Sequence, residues 1–119
     1  MKDHAALYHE LRRLMNDLGT AIPQTMDSFG KLHESACSSG KLSAKSKELI
    51  ALGISIASRC DGCISYHTHD AIVAGASKEE IAETIGVAVM MGGGPSVVYG
   101  CEALHAYQQF SEGELAAQA

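Results

Sequence analysis

Apolar residues recur at helical spacing along the whole chain, and no stretch keeps the strict alternation typical of a β-strand. Glycine, proline and serine signals separate six helical segments. The segments are predicted over about Asp3 to Leu18, Pro23 to the break at 38–40, Ser43 to Ala57, Cys60 to Gly75, Ser77 to the glycines at 92–94, and Pro95 to Phe110. We therefore predict an all-α, compact six-helix bundle, with the last residues, Ser111 to Ala119, frayed.

The apolar patterns of two predicted helices indicate how these helices pack. The first places four leucines on one stripe, as a one-sided surface helix does: Leu7, Leu11, Leu14 and Leu18. The third is apolar on almost all sides from Leu49 to Ala57, which is typical of a helix buried among neighbours. We expect this third helix to be the central element.

The stretch from Thr84 to Cys101 contains no charged residue, which approaches the length of a membrane span. A glycine triplet followed by Pro95 splits it, so we predict two buried helices and no membrane anchor. Its methionines, Met90 and Met91, are expected to fill a core or an interface. The uncharged surface of these two helices is larger than a small monomer usually buries in its own core. Part of it is therefore expected to be a subunit interface.

The size and charge of the chain restrict its function. Its 119 residues fit a single domain, 1–119, large enough to bury a core without disulfides. A net charge of −5 lacks the basic footprint of a nucleic-acid binder. The sequence from Met1 runs directly into a charged helical pattern without an apolar leader, so we expect a cytoplasmic protein. Thiols are normally kept reduced there, and a CxxC pair is then more often catalytic or metal-binding than structural.

One constellation specifies chemistry: Glu48, Cys60, Cys63 and His67, in the spacing Glu-x11-Cys-x2-Cys-x3-His. On a helix the last three share one face. The helix dipole and unpaired N–H groups at a helix start stabilise a thiolate, and His67 lies one turn from Cys63, where it can take the thiol proton. Peroxide attack on such a thiol gives a sulfenic acid that the second cysteine converts to a disulfide.

A zinc site is the alternative for the same motif, with His69 or Glu48 as a fourth ligand. His69 lies roughly 200° around the helix from His67, so it is expected to be a surface or packing residue. For Glu48, an antiparallel hairpin leaves a gap of about one turn to His67, which a bridging water or a crossed packing angle would have to close. Spacing alone favours a solvated acid as much as a catalytic one. The other two cysteines, Cys37 and Cys101, are expected to be packed, inert thiols.

The four motif residues, following the buried helix from Leu49 to Ala57, resemble the AhpD-like alkyl hydroperoxidase and carboxymuconolactone decarboxylase family over roughly Lys41 to Leu104. The resemblance implies an all-helical fold, homo-trimers or hexamers, and reduction of small-molecule hydroperoxides at the expense of a dithiol or thioredoxin-like reductant. It implies that Cys63 attacks the peroxide, Cys60 resolves, His67 is the base and Glu48 assists His67. No cofactor and no metal are expected for this activity.

The sequence departs from the family pattern at two points. The better-studied hydroperoxidases have a further histidine between the cysteines, where this chain has Asp61 and Gly62, and they contain an additional helical portion. Loss of that histidine predicts weaker peroxidase turnover or a different reductant. The dipole argument alone makes Cys60 the more acidic thiol, in contrast to the role that the resemblance gives Cys63.

Two other functions remain open at this level. One is lactone decarboxylation, the other namesake activity of the family, which needs acid–base groups and not a dithiol. The other is a zinc-binding helical assembly module without enzymatic activity.

Overall fold

The computed structural model describes residues 2–113 and contains helices but no strand within that range. The prediction of an all-α fold is confirmed. The helices are α1 (His4–Ala21), α2 (Pro23–Cys37), α3 (Ala44–Ala57), α4 (Asp61–Val73), α5 (Lys78–Gly92) and α6 (Gly94–Glu112). The predicted end of the sixth helix at Phe110 is two residues early, and the predicted fraying from residue 114 onward lies outside the described residues.

Local capping interactions fix where the helices begin. The Ser43 side chain accepts the N–H of Ser46 at the start of α3. At the start of α5, Ser77 and Glu80 form a reciprocal capping box, in which each side chain accepts the backbone N–H of the other residue. These caps satisfy N–H groups that have no partner inside the helix, so the sequence signals identified both helix starts correctly.

The main core lies where α3 meets α4, α5 and α6. Its fully buried large residues are Leu52, Ile56, Ile64 and Ile81. The central position of α3 was predicted correctly, but its burial on nearly all sides was not, because Ile50 and Ile54 are 51% and 63% exposed. In the single chain, no helix of the described range covers that face of α3.

The packed face of α1 also differs from the prediction. Its buried residues are His4 and Tyr8, whereas Leu14 and Leu18 are about half exposed. Tyr8 enters a second core cluster with Ala106 and Phe110, and this cluster fixes the orientation of α1 against α6. The prediction that the leucine stripe forms the packed face is wrong, because a buried histidine with hydrogen-bond partners takes a place on the packed side that an apolar residue would usually occupy.

That histidine, His4, is the centre of a buried polar network. Its side chain is fully buried, with Nδ1 at 2.6 Å from Ser65 Oγ and Nε2 at 2.9 Å from Glu102 Oε2. Its backbone N–H donates to Gln109 Oε1 at 2.7 Å. The network therefore ties the start of α1 to both α4 and α6.

The uncharged stretch forms the facing parts of α5 and α6, joined at Gly93, whose φ of 71° favours glycine. Gly100 allows the two helices to approach, because a Cβ there would lie 2.6 Å from Ile85 Cγ2. None of the described helices is long and apolar enough to cross a membrane. Full burial of the stretch is nevertheless wrong, since its outer face is exposed at Val87, Met90, Met91, Val97 and Val98.

Candidate active site

A tight turn delivers the cysteine motif to the start of α4. The N–H of Cys60 donates to the carbonyl of Ser55, and Arg59 adopts a φ of 59°. This six-to-one hydrogen bond with a left-handed residue before it is the Schellman way of ending a helix, in a position that usually holds glycine. As a result, the chain reverses immediately, and Cys60 becomes the N-cap of α4.

The two motif cysteines lie together at this helix start. Cys60 and Cys63 form a disulfide, with their Cα atoms 5.2 Å apart. The Cys60 sulfur also accepts the backbone N–H of Cys63 at 3.2 Å. The sulfurs are thus adjacent at the positive end of a helix, which is the environment that favours a thiolate once the disulfide is reduced.

Glu48 and His67 are in direct contact. Glu48 Oε2 lies 2.9 Å from His67 Nδ1, and the two side chains are only 8% and 19% exposed. The contact is direct, so no bridging water is needed to close the gap expected from the rise along two parallel helix axes.

This contact assigns separate tasks to the two nitrogens of the imidazole. An ionised carboxylate can only accept a hydrogen bond, so Nδ1 carries the hydrogen that it donates to Glu48. In the neutral ring, Nε2 then holds the free lone pair. Glu48 thereby fixes the orientation of the His67 ring, and at 6% exposure it is not the solvated first-turn acid that spacing alone favoured equally.

A cavity of about 260 Å³ opens beside Cys63 and His67. Cys63 is among its lining residues and Cys60 is not. Helices α1 and α2 cover the cavity with mainly apolar groups. The remaining lining residues are Leu11, Met15, Phe29, Gly30, His33, Gly62 and Tyr66.

The residues between the cysteines lie against α1 and the residue Lys2 that precedes it. Asp61 forms an ion pair with Lys2, with Nζ and Oδ2 2.8 Å apart. A Cβ at Gly62 would lie 3.1 Å from Leu11 Cδ2, so glycine permits α1 to lie close over the motif. Asp61 and Gly62, which stand where the better-studied hydroperoxidases have a histidine, thus help to position α1 over the cavity.

Sequence reasoning missed part of the surroundings of this site. The rings of His33 and His67 are stacked with centroids 6.2 Å apart, and Cys37 Sγ lies 3.9 Å from His33 Nε2. Burial raises the pKa of the Cys37 thiol, and the nearby Glu48 carboxylate raises this pKa further. Spacing of His33 and Cys37 by one helical turn was the available signal.

Of the predictions for Cys101 and His69, one is wrong and one is confirmed. Cys101 is exposed, so its prediction as a packed thiol is wrong. His69 stacks on Tyr8 with ring centroids 4.0 Å apart, which confirms its prediction as a packing residue. His69 Nδ1 lies 3.0 Å from Asp70 Oδ1. Its ring is therefore engaged away from the cysteines and is a poor candidate for a zinc ligand beside them.

Comparison with known families and structures gives consistent matches. The sequence profile of the carboxymuconolactone decarboxylase family matches residues 23–115. A carboxymuconolactone decarboxylase family protein from Legionella pneumophila superimposes with a TM-score of 0.88 at 37% identity, covering 91% of this chain and 96% of that one. A family protein from Thermotoga maritima, described as possibly involved in the antioxidative response, gives 0.84 at 31% identity, covering 94% and 96%.

A relative in Cupriavidus necator has no assigned function. It is 37% identical over 95 residues, which are 80% of this chain and 84% of the relative. The matches thus define a family and a fold, and the chemistry has to be argued from the site.

Proposed function

The chain belongs to the carboxymuconolactone decarboxylase family, and we propose that it is a thiol-dependent peroxidase that uses Cys60 and Cys63 as a dithiol. The observation that carries the proposal is the Cys60–Cys63 pair at a helix start, with the Glu48–His67 pair sharing the site. A dithiol that closes readily to a disulfide next to an oriented base is suited to two-electron reduction. The Thermotoga relative with a suggested antioxidative role supports the same class of activity.

The reaction proceeds in three balanced steps. The Cys63 thiolate attacks the terminal oxygen of the hydroperoxide, the O–O bond breaks, and the products are a Cys63 sulfenic acid and an alkoxide, which takes up a proton to become the alcohol. The Cys60 thiol then attacks the sulfenic sulfur, forming the disulfide and releasing water. An external dithiol or thioredoxin-like protein reduces the disulfide and is itself oxidised.

Access to the cavity supports Cys63 as the attacking thiol. Cys63 and His67 line the cavity, while the Cys60 sulfur accepts a backbone N–H at the N-cap. The dipole argument favours Cys60 as the more acidic thiol, but acidity without contact with substrate does not produce turnover. With Nδ1 bonded to Glu48, Nε2 of His67 is the atom that takes the Cys63 proton and returns it to the alkoxide.

Thiol counting tests the proposal. Reduced protein is treated with cumene hydroperoxide, and alkylation mass spectrometry determines which cysteines lose their free thiol. We expect the Cys60 and Cys63 thiols to disappear together while Cys37 and Cys101 remain alkylatable. Cys63→Ser should abolish the reaction, and Cys60→Ser should leave a sulfenic acid that dimedone traps. Full retention of all thiols in the reduced protein would refute the proposal.

A second candidate is lactone decarboxylation, which the Glu48–His67 pair favours because it supplies acid–base groups beside a cavity. This activity needs no thiol. Replacing both Cys60 and Cys63 by serine should leave it intact, whereas it should end the peroxidase reaction. Conversion of carboxymuconolactone by that double variant would establish the decarboxylase as the true activity.

We also propose that the protein is a homo-oligomer, a trimer or hexamer, assembled through the outer face of α3 and α5. This face carries an apolar groove of about 450 Å³ whose lining includes Ile50, Ile54, Val87 and Met91. These side chains are between 51% and 73% exposed in the single chain, and a contiguous apolar patch of this kind is typical of an interface. Ile54→Glu should reduce the mass measured by light scattering, and a monomer mass in wild type would contradict the proposal.

A further inference from the structure

Three metal-ligating groups of different chemistry converge beside the thiol site. His33 and Cys37 come from α2, and Glu48 comes from α3. One ligand atom of each lies within 4.8 Å of the ligand atoms of the other two. Within the cluster, Cys37 Sγ lies 3.9 Å from His33 Nε2.

The spacing along α2 supports a chelating pair. His33 and Cys37 are four residues apart, so their side chains lie on the same helix face. Glu48 faces them from the neighbouring helix. The donors are therefore held by the backbone of two helices, and they do not depend on a flexible loop.

The donor set matches a borderline-soft divalent cation. Imidazole nitrogen, thiolate sulfur and carboxylate oxygen are the three protein ligand types of Zn²⁺, with bonds of about 2.0–2.3 Å. In a tetrahedron such bonds place donor atoms roughly 3.3–3.8 Å apart. The present separations of up to 4.8 Å thus need a side-chain adjustment on the order of 1 Å.

The charge of Glu48 makes the place favourable for a cation. Glu48 is only 6% exposed. Within residues 2–113 it forms an ion pair with His67, a weak base, and none with lysine or arginine. Asp70 adds a second carboxylate, since Glu48, His67 and Asp70 also lie within 4.8 Å of one another. Buried carboxylates are generally paired with a full positive charge or bound to a metal.

A metal bond would stabilise the position of α2 more than that of the other helices. None of its residues is buried, whereas each of the other helices contributes at least two buried residues. A metal held between His33, Cys37 and Glu48 would connect α2 to α3, the central helix of the core. The connection would supply a tie that apolar packing of α2 does not.

We propose that His33, Cys37 and Glu48 form a Zn²⁺ site, separate from the CxxC motif, and that zinc bound there withdraws Glu48 from His67 and slows the dithiol reaction. The binding part stands on the cluster alone. The inhibitory part rests on the proposed peroxidase function. Zinc does not need to touch Cys60 or Cys63 to act, because Glu48 belongs to both groups of side chains.

Cobalt tests the binding part in the oxidised protein. In the oxidised protein Cys60 and Cys63 form a disulfide and offer no thiolate to a metal. The thiols that could bind cobalt are then Cys37 and Cys101. Titration of untagged, oxidised protein with Co²⁺ should produce a near-ultraviolet thiolate-to-cobalt charge-transfer band that saturates at one equivalent and disappears on addition of Zn²⁺. Cys37→Ser should abolish the band, and the matched control Cys101→Ser should leave it unchanged.

Two further variants keep this test decisive. His33→Asn and Glu48→Gln should each weaken Co²⁺ and Zn²⁺ binding at least about tenfold, since even changes to groups behind metal ligands cost that much. Absence of the band in wild type, or its persistence in Cys37→Ser, would overturn the site.

The inhibitory part has its own readout. One equivalent of Zn²⁺ should slow disulfide formation by cumene hydroperoxide in wild type, whereas in His33→Asn the rates with and without Zn²⁺ should be nearly equal. Because His33 lines the cavity and stacks on His67, each protein is compared only with its own metal-free rate. Because zinc can also bind a reduced CxxC pair, equal inhibition of His33→Asn and wild type would refute the inhibitory mechanism. The cobalt band is measured without peroxide turnover, so failure of the peroxidase proposal leaves the result on the metal site intact.

Discussion

Replacement of Glu48 measures how much the thiol chemistry depends on the orientation of His67. The contact is a 2.9 Å hydrogen bond between largely buried side chains. Hydrogen bonds to charged groups contribute about 1.5–3 kcal/mol, and each 1.4 kcal/mol corresponds to about a tenfold change in rate. Glu48→Gln keeps an oxygen that accepts from Nδ1 but removes the charge, so we expect the rate to fall about tenfold, at the lower end of that range. Glu48→Ala removes both and should cost roughly 100-fold.

The assay is the rate of Cys60–Cys63 disulfide formation after cumene hydroperoxide is mixed with reduced protein, followed by quenched-flow alkylation. Metal chelator is present throughout, so that any bound cation does not contribute. Thermal unfolding of each variant accompanies the rate. A positioning role requires the rate of Glu48→Gln to fall while its melting temperature remains close to that of wild type.

Glu102 provides a matched control. Its carboxylate also lies 2.9 Å from a histidine nitrogen, that of the buried His4, but it does not line the cavity at Cys63. Glu102→Gln should therefore lower stability at least as much as Glu48→Gln and leave the rate of disulfide formation within about twofold of wild type. Equal rate losses in the two variants would show that general loosening, and not the Glu48–His67 contact, explains the effect.

Three other changes test the fold around the site. His4→Ala leaves two hydrogen-bonded partners unsatisfied and should lower the free energy of unfolding by about 3 kcal/mol in urea titration; a loss below about 1 kcal/mol would contradict the importance of the network. Gly62→Val should cost about 1–3 kcal/mol through crowding against Leu11, measured in the same way, and Gly62→Val paired with Leu11→Ala should recover most of that loss. Burial raises the pKa of Tyr66, so its phenol ionises more readily in the unfolded chain; stability should be present below about pH 10 and fall as pH rises through the folded-state pKa, and Tyr66→Phe should reduce that alkaline fall in thermal melts.

The sequence was a good guide where chemistry is local. Ser43 and Ser77 mark helix starts through hydrogen bonds to residues only three positions away, and both caps form. Cys60, Cys63 and His67 fall on one short helix, so helical periodicity alone brought them together. Their adjacency follows from backbone geometry and does not require knowledge of the tertiary fold.

The sequence was a poor guide where two helices have to meet. The Glu48–His67 contact depends on the packing of α3 against α4 and on rotamers, and spacing along the chain contains neither. His4 illustrates the same limit: its partners Ser65 and Glu102 are 61 and 98 positions away. A polar residue on a helix is expected to be exposed until such distant partners are known.

The site combines rigid reacting groups with a less firmly held cover. Glu48 and His67 come from α3 and α4, the helices that form the main core, whereas much of the cavity wall comes from α1 and α2. Helix α2 buries none of its residues, and regions with few buried apolar contacts open most easily. A Cβ at Gly30 on this helix would meet no neighbouring heavy atom within 4 Å, so larger side chains fit there. Under the proposed function, we expect substitutions in α2 to alter substrate preference without displacing the motif cysteines or His67, because the cavity wall and these residues belong to different helices.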